Sequence, residues 1–165
     1  MSPALLDLVN TFFYSGRLKP ASGTWGSLAA LAVGWGAEHY LGFPVLLALT
    51  LAVIPLGFFT VGAALKDRPG EDPSEIVIDE VAGMWIALSI PAAAFYFGPG
   101  VPMVWPGAVG AFLFFRLFDI WKPWIIGRAD RRGDAVGVML DDIWAGFFAA
   151  VATLMAAAVY HIVLI

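Results

Sequence analysis

Five carboxylates stand out by where they fall in the chain: the pair Asp79-Glu80, the single Asp119 and the pair Asp141-Asp142. They follow Ile76-Val77-Ile78, Phe118 and Val138-Met139-Leu140, and each borders a longer apolar stretch. The two pairs resemble one another, Asp79-Glu80-Val81-Ala82-Gly83 and Asp141-Asp142-Ile143-Trp144-Ala145-Gly146, with a glycine within four residues of each. Glycine there lets two helices approach closely. Helices crossing at those glycines bring four or five carboxylates to one point, where they repel unless hard cations neutralise them. Oxygen ligands, with no cysteine in the chain and no histidine nearby, suit Mg²⁺ best. Arg116, Asp119 and Lys122 follow at i, i+3, i+6 along one side of a helix that Pro123 is expected to stop. Acids for a metal beside fixed cations are what a phosphate ester needs. The positive groups neutralise the dianion, and a free carboxylate can orient or deprotonate water.

Simpler roles stand beside each of these. Asp141 could cap the last helix, where an acid suits the dipole. If Ser74 is the N-cap of the third long helix, Asp79 and Glu80 lie a full turn beyond the positions that capping explains. Asp119 at a helix C-terminus opposes the dipole and needs a cation or a divalent metal to stabilise it. Arg116 and Lys122, taken singly, could anchor a span at the headgroups. The segment Ser22-Gly23-Thr24-Trp25-Gly26-Ser27 offers glycines and hydroxyls at a helix N-terminus, an anion site unless Ser22 or Thr24 merely caps the helix. The run Arg128, Asp130, Arg131, Arg132, Asp134 reads as a solvated loop with a secondary role at anionic headgroups.

The elements that must carry these residues are membrane helices. Of 165 residues, 61% are hydrophobic and 13% charged, against about half apolar and a quarter charged in a soluble domain. At about 20 residues per span, the length allows several spans and no separate soluble domain. A single domain is expected over 1–165, with residues 1–23 as an interfacial, cytoplasmic segment and 24–165 as the bundle. The fold class is all-α: a polytopic bundle of about five spanning or partly re-entrant helices plus an N-terminal interfacial helix. The apolar stretches run over 24–41, 43–65, 81–97, 103–118 and 143–164, the first and fourth being short or ambiguous. Pro55, Pro91 and Pro106 should kink helices rather than break them. Leu5, Leu8, Val9 and Phe12 recur at helical spacing ahead of the first span. No signal peptide is expected at the N-terminus.

Alternating the spans collects 1–23, 66–75 and 119–142 on one face. All nine Lys and Arg lie in or beside it, as do twelve of the thirteen acids, Glu38 being the exception. By the positive-inside rule that face is cytoplasmic. His39 and His161 fall towards the opposite side, where interfacial or packing roles suffice. A net charge of −4 argues against nucleic-acid partners. Exposed Trp and Phe suit lipid or a second subunit equally, so a homo-oligomer is compatible with the composition.

Four ordered segments resemble the motifs of the phosphatidylglycerophosphatase A family: 23–28 (GTWGSL), 76–85 (IVIDEVAGMW), 115–124 (FRLFDIWKPW) and 137–146 (GVMLDDIWAG). Ser22 and Ile125 stand where that family often has proline. The resemblance implies a Mg²⁺-dependent enzyme of the bacterial inner membrane, with N-terminus and site cytoplasmic. Its reaction would hydrolyse the terminal phosphate monoester of phosphatidylglycerol phosphate to phosphatidylglycerol. The matching acids are Asp79, Glu80, Asp119, Asp141 and Asp142, with Arg116 and Lys122 as phosphate contacts. On this expectation Asp79, Asp119 and Asp142 lead in metal binding. Glu80 is the foremost base, joined by Asp79 and Asp141 in catalysis, and Thr24 and Ser27 help to hold the headgroup phosphate.

Other solutions leave different traces. The order around 127–142 does not match the CDP-alcohol phosphotransferase pattern, and no histidine lies on the acidic face for a histidine-nucleophile lipid phosphatase. An aspartyl-phosphate route stays open. The non-enzymatic alternative is a small ion-coupled transporter or channel that uses the acidic layer as an ion site. It calls for polar residues continuing through the membrane, yet beyond that layer Thr50 and Ser89 are isolated.

Overall fold

The computed structural model describes residues 1–66 and 73–164. Most of the expected 66–75 loop, Arg68 included, lies outside the described residues. The described chain is all-helical: α1 (Pro3–Asn10), a single 3-10 turn (Ser15–Arg17), α2 (Ser22–Leu41), α3 (Phe43–Leu65), α4 (Ile78–Phe97), α5 (Trp105–Trp121), α6 (Trp124–Asp130) and α7 (Ala135–Leu164). Among the described residues, α3, α4 and α7 are long and apolar enough to cross a membrane, fewer than the expected five or so. The reason lies in the other two. The 17 residues of α5 fall short of the bilayer core and include Arg116 and Asp119. In α2 the apolar residues are diluted by Gly, Ser, Glu38 and His39.

α4 is the central element. Twelve of its 20 residues are buried, and it packs on α2, α3, α5 and α7. Because its whole circumference is covered, the sequence is apolar on all sides rather than striped. α3 and α4 run without interruption through Pro55 and Pro91, as expected where neighbouring groups compensate for the lost backbone bond. Pro106 instead lies in the first turn of α5, where a missing N–H costs nothing.

Three expected helix boundaries shift. α4 begins at Ile78 with Val77 as N-cap, so Asp79 and Glu80 occupy its first turn and Ser74 does not cap it. α7 begins at Ala135, eight residues before the expected start of its apolar stretch, which places Asp141 and Asp142 inside the helix and excludes Asp141 as a cap. α2 begins at Ser22 behind Ala21, with no side-chain cap bond from Ser22 or Thr24. Part of the expected 128–134 loop is also helical: Arg128 and Asp130 end α6, held by backbone bonds such as Arg131 N–H to Gly127 C=O.

The end of the bundle opposite the acidic cluster has its own fastening. Glu38 is buried and its Oε1 accepts the Met103 N–H at 2.9 Å, while the Trp35 indole donates to the Met103 carbonyl at 3.0 Å. In the middle, Thr50 and Ser89 meet at 3.0 Å and each also lies within hydrogen-bond distance of its own helix's backbone, at Leu46 and Trp85.

Candidate active site

The site grows from the crossing of α4 and α7. A β-carbon on Gly146 would collide with the Gly83 carbonyl, and one on Gly83 would stand 2.5 Å from the Asp142 carbonyl and 2.6 Å from the Phe115 ring. Only glycines allow this approach, and the acidic pairs adjacent to them are carried to the same place. Asp79 and Glu80 come from the start of α4, Asp141 and Asp142 from the second turn of α7, and Asp119 from the end of α5. The acids gather at one end of the bundle, as the glycine spacing predicts.

Arg116 ties three helices together there. One guanidinium nitrogen, Nη1, lies 2.6 Å from Asp119 Oδ2 on α5, 3.8 Å from Glu80 Oε1 on α4 and 3.4 Å from Ser27 Oγ on α2. Its side chain is only 17% exposed, so the charge is held among acids rather than reaching for headgroups. α2 is shaped to the same carboxylate. A β-carbon on Gly23 would strike Glu80, and one on Gly26 would lie 2.9 Å from Glu80 Oε2 and 2.7 Å from Val77 Cβ. Ser27 thus joins the site through Arg116 while donating to the Gly23 carbonyl at 2.8 Å. Thr24, half-buried on the same turn, makes no side-chain hydrogen bond among the described residues.

Lys122 closes α5 in a left-handed conformation, φ 48° and ψ 52°. This is unfavourable for a residue with a β-carbon, and it releases the side chain sideways. Its ammonium donates to Asp141 at 2.8 Å and also to Asp130 on α6. Burial alone would lower the Lys122 pKa, but the two carboxylates more than offset it and hold the group well above its ordinary value. Asp130 was not among the expected site residues. Its position in a basic run resembles a solvated loop, and only the fold of α6 back onto α7 brings it to Lys122. At the far end of that run Asp134 pairs with Arg132 at 2.9 Å and accepts the Gly137 N–H at 2.7 Å, which together lower its pKa.

Asp142 differs from the other acids. It is 3% exposed, and its Oδ1 has no hydrogen-bond partner. The charges bearing on it are Asp119, Asp79, Asp141 and Glu80, all carboxylates. A buried, unsatisfied anion oxygen facing other anions is costly, and a hard cation is the species that would relieve it. The donor set fits a divalent ion in kind: oxygens only. Among the described residues, no group of three or more acids is arranged to enclose an ion. Arg116 draws Asp119 aside and Lys122 draws Asp141, so the fixed cations already neutralise part of the cluster. His39 lies edge-on to Tyr40 and tilted against Trp35, and His161 lines an apolar cavity of about 520 Å³ with Phe95, Phe114 and Tyr160. Neither histidine joins the acids.

Comparison with known proteins identifies the family. The sequence profile described as phosphatidylglycerophosphatase A matches residues 8–157. The chain is 33% identical over 148 residues to a phosphatidylglycerophosphatase A of Haemophilus influenzae, covering 88% of this chain and 85% of the relative. It is 34% identical over 140 residues to the Escherichia coli protein of the same name, covering 84% and 75%. It is also 37% identical over 145 residues, 86% of each chain, to a Bacteroides thetaiotaomicron protein provisionally named a phosphatidylinositol-3-phosphatase. No solved structure matches the chain. With its four motifs folded around a single acidic end and the profile spanning nearly its whole length, the chain belongs to the phosphatidylglycerophosphatase A family, a family of phosphatases.

Proposed function

We propose that the chain is a Mg²⁺-dependent lipid phosphatase that hydrolyses the terminal phosphate monoester of phosphatidylglycerol phosphate, releasing phosphatidylglycerol and inorganic phosphate. The observation that carries this reading is Asp142, buried with an unpartnered oxygen among four other carboxylates while Arg116 and Lys122 stand at hydrogen-bond distance from Asp119 and Asp141. Asp142, Asp79 and Asp119 would hold the metal, which when bound supplies Lewis-acid stabilisation to the phosphoryl oxygens. Arg116 and Lys122 would turn from their acids towards the phosphate, with Ser27 and Thr24 supporting the headgroup from α2. Glu80, in the first turn of α4 and in contact with Arg116, is the base we assign to water; Asp79 and Asp141 complete the charged lining. The basic residues that share this end support an orientation with the site at the cytoplasmic face of a bacterial inner membrane.

The relative named for a 3-phosphoinositide makes the headgroup a point to test. Purified protein in detergent, given phosphatidylglycerol phosphate or phosphatidylinositol 3-phosphate with Mg²⁺ and then with chelator, separates the cases. Phosphate release from the first lipid only, abolished by chelator, supports the proposal. Release that is indifferent to chelator would remove the metal from it, and no release from either lipid would overturn it.

A further inference from the structure

The chain around Asn10–Gly16 is folded in a way that its own sequence does not favour. Phe12, Phe13 and Tyr14 are consecutive residues with φ of 42°, 56° and 67°. A run of left-handed residues that each carry a β-carbon forms only where the surroundings impose it. Solvent-facing packing does not explain it, since Phe13 and Tyr14 are exposed.

What the turn achieves is on its inner side. Thr11 is 1% exposed and organises it: the Oγ1 accepts the Tyr14 N–H at 3.1 Å, and the Thr11 carbonyl accepts the Gly16 N–H at 3.0 Å. Phe12 turns inward, edge-on to Trp85 of α4 with ring centroids 6.0 Å apart. Asn10 reaches in two directions, its side-chain amide N–H donating to the Thr60 carbonyl of α3 at 3.2 Å and its backbone carbonyl accepting the Val77 N–H at 2.8 Å. Gly16 presses on the same place: a β-carbon there would collide with the Glu75 carbonyl and stand 2.9 Å from Val77 Cγ1. Val77 is fully buried and is the N-cap of α4, two residues before Asp79. With Gly26 of α2 against its other side, Val77 is gripped from three directions.

We propose that the left-handed turn of residues 10–16 is a positioning element for the reaction: through Asn10 and Gly16 it fixes Val77, and so sets where the first turn of α4 places Asp79 and Glu80. Thr11 is the positioning residue that holds the turn, acting through Val77 without touching substrate. The inference rests on the reading of Asp79 and Glu80 as reacting acids, but the bracing itself can be observed without turnover.

Thr11→Val keeps the shape and removes the hydroxyl; Thr11→Ser keeps the hydroxyl. Amide hydrogen exchange and steady-state kinetics are measured on both in detergent with phosphatidylglycerol phosphate. Thr11→Val should speed exchange at residues 77–81 selectively and lower kcat about tenfold with KM within about twofold, and Thr11→Ser should restore both. Gly16→Ala should give the same pattern more strongly; if it does not fold, the Thr11 pair decides. Unchanged exchange at 77–81 in Thr11→Val would overturn the proposal. So would faster exchange spread evenly over all helices, with kcat falling only as the folded fraction falls. Selective exchange at 77–81 in a protein whose parent releases no phosphate would support the bracing and overturn the catalytic reading instead.

Discussion

Each end of the bundle buries a carboxylate with one oxygen that meets no hydrogen-bond donor: Asp142 at the acidic end and Glu38 at the other. Their surroundings differ in kind. Glu38 accepts the Met103 N–H on its other oxygen, the Trp35 indole fastens Met103 through its carbonyl, and His39 is the titratable neighbour acting on Glu38. Asp142 has four carboxylates around it and two fixed cations held by its neighbours. A buried acid is therefore not in itself the mark of chemistry in this protein. Several acids brought to one point, with more negative charge than the local Arg and Lys absorb, are what set the acidic end apart as the candidate site.

That contrast can be broken first at its strongest point. Asp142→Asn should lower kcat/KM by about 10³-fold while leaving thermal stability equal or higher, because it removes a buried like charge. Colorimetric phosphate release and a thermal unfolding scan on one preparation check both halves; retained turnover would move Asp142 out of the site. Lys122→Met comes next, with an expected loss of about 10²-fold in kcat/KM. Lys122 also carries a pH signature. Its folded-state pKa is raised by Asp141 and Asp130, so its stabilising contribution is fully present below the unfolded value of about 10.4. That contribution is lost only as pH rises through the higher folded value. Once its carboxylate partners are ionised, the stability difference between parent and Lys122→Met should thus stay level from about pH 8 to about pH 10 and shrink above it. A difference that already shrinks as pH rises from about 8 to about 10 would contradict the assigned pairing.

Smaller effects sharpen the comparison. Gly83→Ala sets a methyl against the Asp142 carbonyl and the Phe115 ring, and should cost about 1–3 kcal/mol of stability with activity lost as α4 and α7 separate. Denaturant titration beside activity checks it. At the opposite end Glu38→Ala leaves the Met103 N–H unpaired, an expected loss of about 1–3 kcal/mol with kcat unchanged. Glu38→Gln keeps an acceptor and should be nearly silent in both measurements. A large kcat effect from Glu38→Gln would erase the distinction between the two ends.

Much of the acidic end was legible in the sequence. The paired acid-then-glycine segments foretold the crossing of α4 and α7, and Arg116 three residues before Asp119 foretold their contact, because helical spacing and close approach are local properties. Asp130 was not legible, since its role depends on α6 returning to α7 after the left-handed Lys122. Nor was the early start of α7: Asp134 caps it by accepting the Gly137 N–H, but it closes a run of charged residues that reads as a solvated loop. Among the described residues fewer helices than expected have the length and hydropathy of a span, because α2 and α5 carry charged and small residues within their apolar stretches. The left-handed turn over Phe12–Tyr14 has no glycine or asparagine to announce it, so only tertiary contacts on Val77 could reveal it.

The most direct test of the central claim is divalent-cation binding to the detergent-solubilised protein without substrate, followed by isothermal titration with Mg²⁺ and by the spectrum of bound Mn²⁺. Mg²⁺ should bind the parent saturably, with that binding lost in Asp142→Asn and fully retained in Glu38→Gln. Undiminished binding in Asp142→Asn, or loss in Glu38→Gln, would contradict the claim.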